Sequence, residues 1–291
     1  LRYKAIRLFS LLALAAASAA VAPGCVNSAM AGKGLVVEQA AAIESDPVAP
    51  FTGFKELARP TVFPEPAVEV RVPVLMYHHV GALPADADSL RSGLTISEDT
   101  FRAQMDHLSR TGHNPVSQTQ LYRALYKGEP LPPRPVLLTF DDGYADSYES
   151  VLPVLEEHSF PATFYVITGE VGVSGYMNWQ QVIELDWKGM DIGSHTVSHR
   201  DLTVVSPEEA ERQLGESAAV LAEKLGHPVY WLCYPSGSFN PGVENAVWKG
   251  GYLLAVTTSP GEVHSSERPL ELKRYRIGPG TTMEEFADLV D

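Results

Sequence analysis

Val136-Leu137-Leu138-Thr139-Phe140-Asp141-Asp142-Gly143-Tyr144 is the stretch on which the rest of this chain turns. An apolar run without charge, preceded by Pro133 and Pro135, ends abruptly in two carboxylates and a glycine. A run of that kind reads as a strand buried on both faces, as in a parallel sheet covered by helices. The two aspartates then fall just past its C-terminal end, where open and barrel-shaped α/β sheets carry their chemistry. Taken alone, the same residues equally describe a strand closing in an Asp-Gly turn. The partners elsewhere in the chain decide between the two.

Upstream, Val68 to Tyr77 (VEVRVPVLMY) is strand-like and ends in His78-His79. A loop with Pro84 and Gly93 follows, long enough to form a lip. Ser97 then caps a helix carrying Phe101, Met105 and Leu108 on one face. Asn114 to Val116 reads as a short strand and Gln118 to Lys127 as a helix closed by Gly128. Downstream, Asp146 to His158 is helical around Pro153, and Ala162 to Ile167 is a second buried strand. Met177 to Lys188 reads as a helix, and Met190 to Gly193 as a strand that delivers His195 and His199. Ser206-Pro207 with Glu209 starts a helix that runs to Gly226. Val229 to Tyr234 is the next strand, turning at Pro235-Ser236-Gly237. A helix from Asn240-Pro241 to Trp248, strands at Leu253 to Thr257 and Arg274 to Ile277, and a helix boxed by Thr282 and Glu285 complete the chain.

Strands alternating with helices imply an α/β fold with a mostly parallel sheet. Seven or so units without a Gly-rich dinucleotide fingerprint favour a closed or nearly closed barrel. His78, Asp141-Asp142, His195 and the Tyr234-Pro235 turn each follow a strand end, and in a parallel barrel those ends converge on one face.

The 291 residues carry a net charge of −14, which argues against nucleic acid or an anionic membrane surface as partner. Residues 1–22 begin with Arg2, Lys4 and Arg7 and continue in an uncharged Leu/Ala run, the pattern of a secretory signal. Ala17-Ser18-Ala19 is one candidate cleavage site. Ala22-Pro23-Gly24-Cys25 is another, and would attach the chain to a membrane through lipid on Cys25 alone. Residues 23–66, rich in Ala and Pro, read as a flexible arm, which leaves 67–291 as the folded domain. Cys25 and Cys233 are too few for a disulfide framework. The product is expected to be periplasmic or extracellular, and a monomer.

Asp142, His195 and His199 can form a two-histidine, one-carboxylate set, provided that the segment after Gly193 turns helically. Three protein ligands leave positions open, which suits catalysis better than structure. Thr139-Phe140-Asp141-Asp142-Gly143 and His195-Thr196-Val197-Ser198-His199 resemble the first two motifs of the NodB-homology polysaccharide deacetylases, carbohydrate esterase family 4, over roughly Val72 to Leu289. That resemblance implies a distorted (β/α)7 barrel. It also implies one divalent metal held by Asp142, His195 and His199: zinc first, with cobalt, nickel or iron as alternatives. Asp141 would be the general base, and Tyr144 would supply a backbone N–H to the oxyanion.

Two family motifs depart from pattern. Cys233-Tyr234-Pro235-Ser236-Gly237 has cysteine where the family carries the arginine that orients the base, and serine where it has an aromatic wall. The C-terminal Leu-x-His that supplies the acid is absent from Leu270-Glu271-Leu272-Lys273. Pro73 to His79 instead resembles the first strand of circularly permuted members, such as the exported poly-β-1,6-N-acetylglucosamine deacetylases. That resemblance implies an acid histidine from this first strand, His78 ahead of His79, and alternation lets only one of the two face the cleft.

Tyr234, Pro235, Trp179 and His79 are the residues expected to contact glycan. His107, His113, His158 and His227 read as solvated or capping, and Trp187 and Trp248 as core. The implied substrate is an acetylated polysaccharide. Peptidoglycan, chitin-like oligomers and O-acetyl esters are the rivals, and a glycan-binding module without turnover is the alternative class.

Overall fold

The computed structural model describes residues 57–60 and 64–291. The leader over 1–22, most of the arm and Cys25 lie outside the described residues. In chain order the elements are β1 (Glu69–Arg71), β2 (Val74–Tyr77), β3 (His79–Val80), α1 (Ser89–Leu94), β4 (Thr95–Ile96), α2 (Glu98–Arg110), β5 (Asn114–Pro115), α3 (Gln118–Lys127), β6 (Pro135–Phe140) and α4 (Leu152–His158). There follow β7 (Thr163–Val166), α5 (Trp179–Trp187), β8 (Asp191–Ser194), α6 (Pro207–Leu225), β9 (Trp231–Cys233), α7 (Pro241–Lys249), β10 (Leu254–Val256), β11 (Val263–Ser265), β12 (Tyr275–Arg276) and α8 (Met283–Val290).

The main sheet runs β10-β9-β8-β7-β6-β2-β12, with β5 pairing β6 beside that path, and its ladders are parallel. Val256 at the end of β10 bridges Leu272, just before β12, so the path curls nearly shut. The strand pattern predicts a nearly closed parallel barrel, and the family resemblance implies its distorted seven-stranded form; both are observed. β6 sits near its middle. Its side chains alternate, as strand geometry requires. Val136, Leu138 and Phe140 face outward into a core shared with Phe101, Met105 and Leu155. Leu137 faces inward with Val74, Tyr165, Trp231, Cys233 and Val256.

Phe140 stacks between Tyr77 (centroids 5.2 Å apart) and Phe164 (5.0 Å). Such pairs add about 0.5–1.5 kcal/mol each beyond their burial. The Tyr77 hydroxyl donates to Gln104 Oε1 at 2.9 Å, so its burial strands no donor.

Several helices begin on side-chain caps. Ser97, Ser117, Asn178, Ser206, Asn240 and Thr282 each accept a backbone N–H from the first turn, which pins where each strand-to-helix loop stops.

The structure departs from the sequence pattern in four places. The Val68–Tyr77 run breaks at Pro73, which has no N–H to give a ladder. β1 therefore pairs antiparallel with β11 while β2 joins the barrel. The lip loop contains a helical turn, α1. The 195–199 segment is not helical, because Thr196 (φ 66°) and His199 (φ 52°) are left-handed. Trp187, expected in the core, is 51% exposed, because α5 buries Val182 and Leu185 instead.

Candidate active site

Register brings the first two groups together. Phe140 pairs with Tyr77, so Asp141, next along β6, lies level with His78, next along β2. Asp141 N–H donates to Tyr77 O at 3.0 Å and extends the ladder by one bond. His78 Nε2 lies 3.9 Å from Asp141 Oδ2. Asp142 then takes φ +73° and Gly143 φ +81°. Left-handed backbone is costly for most residues, but aspartate tolerates it and glycine is free of the penalty. The two positions break the in-out alternation, and both neighbouring carboxylates line one cleft.

Asp141 is held by a residue that sequence reasoning missed. Arg274, 1% exposed, meets Asp141 end-on: Nη1 donates to Oδ1 at 2.7 Å and Nη2 to Oδ2 at 2.8 Å. Its other donors reach Thr257 O (2.9 Å), Thr139 Oγ1 (3.1 Å) and Cys233 Sγ (3.2 Å). A guanidinium has five N–H groups, and all five are matched. Thr139 can accept because its own hydroxyl donates to Leu75 O at 2.7 Å. Burial alone would raise the Asp141 carboxyl, yet the Arg274 charge and hydrogen bonds outweigh it and hold Asp141 below the usual carboxylate range. Cys233 is small enough to leave that volume to Arg274, and its S–H donates weakly to Asp141 Oδ2 at 3.4 Å.

The second donor set closes from β8. One ligand atom each from Asp142, His195 and His199 lies within 4.8 Å of the other two. His195 Nδ1 donates to Cys233 O at 2.8 Å, which leaves the Nε2 lone pair turned toward Asp142 Oδ1, 3.3 Å away. His199 Nε2 stands 3.7 Å from the same oxygen. The loop between the histidines is tied from outside the motif. Gln213 of α6, buried, accepts from Val197 N and Ser198 N at 3.1 and 3.0 Å, while its amide donates to Ser198 Oγ and Glu209 Oε1. Gly169 N–H donates to Val197 O at 2.8 Å, and a Cβ on Gly169 would sit 2.4 Å from that oxygen. Two imidazoles and one carboxylate with a preset tautomer suit a divalent cation of the zinc type.

Tyr144 bridges Tyr176 antiparallel, with Met177 N donating to Gly143 O and Ala145 N to Gly175 O. In such a pairing the Tyr144 N–H points away from its partner. The cleft encloses 360 Å³, bounded also by Glu170, Ser236, Thr258, Arg276, and Leu90 and Leu94 of α1. Burial lowers the pKa of His78, against the pull of the two aspartates.

Of the four residues expected at the glycan, Tyr234 borders the cleft, whereas His79, Trp179 and Pro235 do not. His79 is buried on the outer side of its strand, bonded through Nδ1 to Asp146 (2.8 Å) and through Nε2 to Arg91 (2.7 Å), and stacked on Tyr144. Trp179 packs on the outer core as the first residue of α5. The Tyr234 side chain is fully buried and stacked on Phe239 in a separate core beneath α6 and α7. Pro235 is buried at the start of a 3₁₀ turn, and Ser236 takes the wall position. Among the remaining histidines, His113 Nε2 is buried against Val290 O, and His158 and His227 meet Asp106 and Asp186. His264 is bonded to Val72 O.

A nearly closed parallel barrel with carboxylates and imidazoles gathered at its strand ends defines a site suited to acid–base and metal-assisted hydrolysis. The family model for polysaccharide deacetylase matches residues 128–255. The Streptococcus pyogenes deacetylase PplD, solved with acetate, superposes with a TM-score of 0.72 at 30% identity, over 77% of this chain and 100% of that one. YxkH of Bacillus subtilis, provisionally named a polysaccharide deacetylase, is 28% identical over 221 residues, 76% of each chain. A poly-β-1,6-N-acetyl-D-glucosamine N-deacetylase of Staphylococcus aureus is 25% identical over 191 residues, 58% of this chain and 66% of that enzyme. The chain belongs to the polysaccharide deacetylase family, hydrolases of N-acetyl amide bonds.

Proposed function

We propose that this chain is an exported, metal-dependent deacetylase acting on N-acetylglucosamine residues of a polysaccharide, with poly-β-1,6-N-acetylglucosamine the first candidate. The observation that carries the reading is the meeting, in one cleft, of the clamped Asp141, His78 and the Asp142–His195–His199 donor set. The name of the Staphylococcus aureus relative supports the substrate, and the basic start and apolar run of residues 1–22 support export.

Asp142, His195 and His199 would hold one divalent ion. When bound, that ion would polarise the amide carbonyl and lower the pKa of water toward neutrality. Asp141, kept ionised by Arg274, takes the proton of the attacking water. The Tyr144 N–H donates to the oxygen that becomes negative. An amine leaves poorly unless protonated, and His78, one strand over, delivers that proton to the nitrogen. Arg274 acts through Asp141, whose two oxygens it holds, and not on the substrate. It is a positioning residue that fixes the rotamer and charge of Asp141. Leu90 and Leu94 give the cleft an apolar wall for a sugar face.

Acetate release from N-acetylated β-1,6- and β-1,4-glucosamine oligomers and from an O-acetylated glycan tests the reading. The β-1,6 oligomer should be hydrolysed best. Release from the ester alone would refute an amide hydrolase, and tight binding without release from any of the three would point to a binding module.

A further inference from the structure

β12 brings two guanidiniums to the site, and the chemistry described so far uses one. Residues two apart on a strand face the same way. Tyr275 packs outward against the helix-covered core, so Arg274 and Arg276 both face inward. Arg274 is buried with all its donors matched. Arg276 pairs with Met76, two residues before His78, and emerges exposed on the wall of the same cleft. Among the described residues no carboxylate forms an ion pair with it, whereas Arg71 is met by Glu262 and Arg91 by Asp146. The strand order β7-β6-β2-β12 sets the Asp141–His78 pair between Arg276 on one side and Glu170, in the loop after β7, on the other. An extended glycan lying across the reacting pair would therefore have its two neighbouring sugars beside opposite charges.

We propose that Arg276 binds an anionic group, a carboxylate or a phosphate, on the sugar next to the N-acetylated one. The inference rests on the deacetylase reading but departs from its first candidate polymer, which carries no anion, by assigning the neighbouring unit to an anionic class. A guanidinium presents paired N–H donors that match the two oxygens of such groups. Asp141 does not compete for it, because Arg274 already takes both of its oxygens. Glu170 disfavours an anion at the opposite end, so the anionic unit lies on the β12 side only.

The test compares kcat/KM for four short substrates. One alternates N-acetylglucosamine with a sugar bearing a lactyl carboxylate, one is its carboxamide, one bears a phosphate on the neighbouring sugar, and one is a plain N-acetylglucosamine oligomer. The carboxylate or the phosphate substrate should exceed the neutral pair by roughly tenfold or more, the scale of a hydrogen bond to a charged group. Whichever anion gives the larger ratio identifies the source. In Arg276→Gln that ratio should fall toward one, and in Arg276→Glu it should invert, with melting temperatures unchanged. A wild-type ratio near one, or a ratio unaltered in Arg276→Gln, overturns the anion inference alone as long as the plain oligomer still releases acetate. Absence of acetate from all four substrates overturns the deacetylase reading beneath it.

Discussion

Replacing Arg274 by methionine keeps the apolar stem and removes the guanidinium, leaving Asp141 buried beside an empty partner position. The pair is as enclosed as a salt bridge can be, with side chains 0% and 3% exposed, so solvent screens little of the loss. Breaking one side of such a pair costs about 3–5 kcal/mol, because the surviving charge keeps its desolvation penalty without compensation. For a domain of this size, 1 kcal/mol corresponds to roughly 2–4 °C, so the melting temperature should fall by about 6–20 °C. Asp141→Asn in the same background removes the orphaned charge and should recover a large part of that fall. Arg274→Lys should recover less, since an ammonium cannot span both carboxylate oxygens. The assay is thermal unfolding followed by circular dichroism for wild type, both single variants and the double variant, with acetate release measured alongside. A fall in Arg274→Met equivalent to under about 1 kcal/mol would refute the reasoning, as would a double variant no more stable than Arg274→Met.

Three other outcomes follow from the geometry. His78→Ala should lower turnover by about 10²–10⁴, the range for loss of a general acid, while His79→Ala should lower thermal stability and leave bound metal unchanged. A His78→Ala enzyme with near wild-type turnover would contradict the assignment. Gln213→Ala frees the loop between His195 and His199 and should weaken metal binding about 10–100-fold in a chelator competition, against no change if the loop holds itself. Burial opposes a charge on His227, but Asp186 and the Pro228 carbonyl outweigh it and raise its pKa. Its contribution to stability is then complete below the unfolded value of about 6.5 and lost as pH rises through the folded one. The melting-temperature gap between wild type and His227→Asn should therefore be wide in mild acid and narrow in mild base.

The barrel was readable because buried parallel strands carry near-continuous apolar runs and stop at Gly, Pro or polar pairs. The metal-type donors were readable because Asp142 and the His195–His199 pair sit in contiguous motifs. Alternation along a strand says only that His78 and His79 cannot both face the cleft; the resemblance to the permuted members put His78 first, and His79 does turn outward to Asp146. Arg274 escaped because it supplies the missing arginine from a different strand, 41 positions beyond Cys233, the residue where the arginine is absent. A signal for it exists: an arginine inside a strand that closes the barrel must find a carboxylate, and Asp141 lacked a partner. Aromatic residues misled in the other direction. Trp179 and Tyr234 have ring faces that suit sugars, yet the cores beneath the helices take both rings, and of the two only Tyr234 also borders the cleft. Gln213 carries no motif, and only the fold brings α6 against the histidine loop.

The most direct test of the central claim is acetate release from an N-acetylated β-1,6-glucosamine oligomer by the protein stripped with chelator, then reloaded with one equivalent of zinc, cobalt, nickel or iron. The account predicts loss of release on stripping, recovery on reloading, and failure of reloading to restore it in Asp142→Asn. Release unchanged by stripping would contradict it.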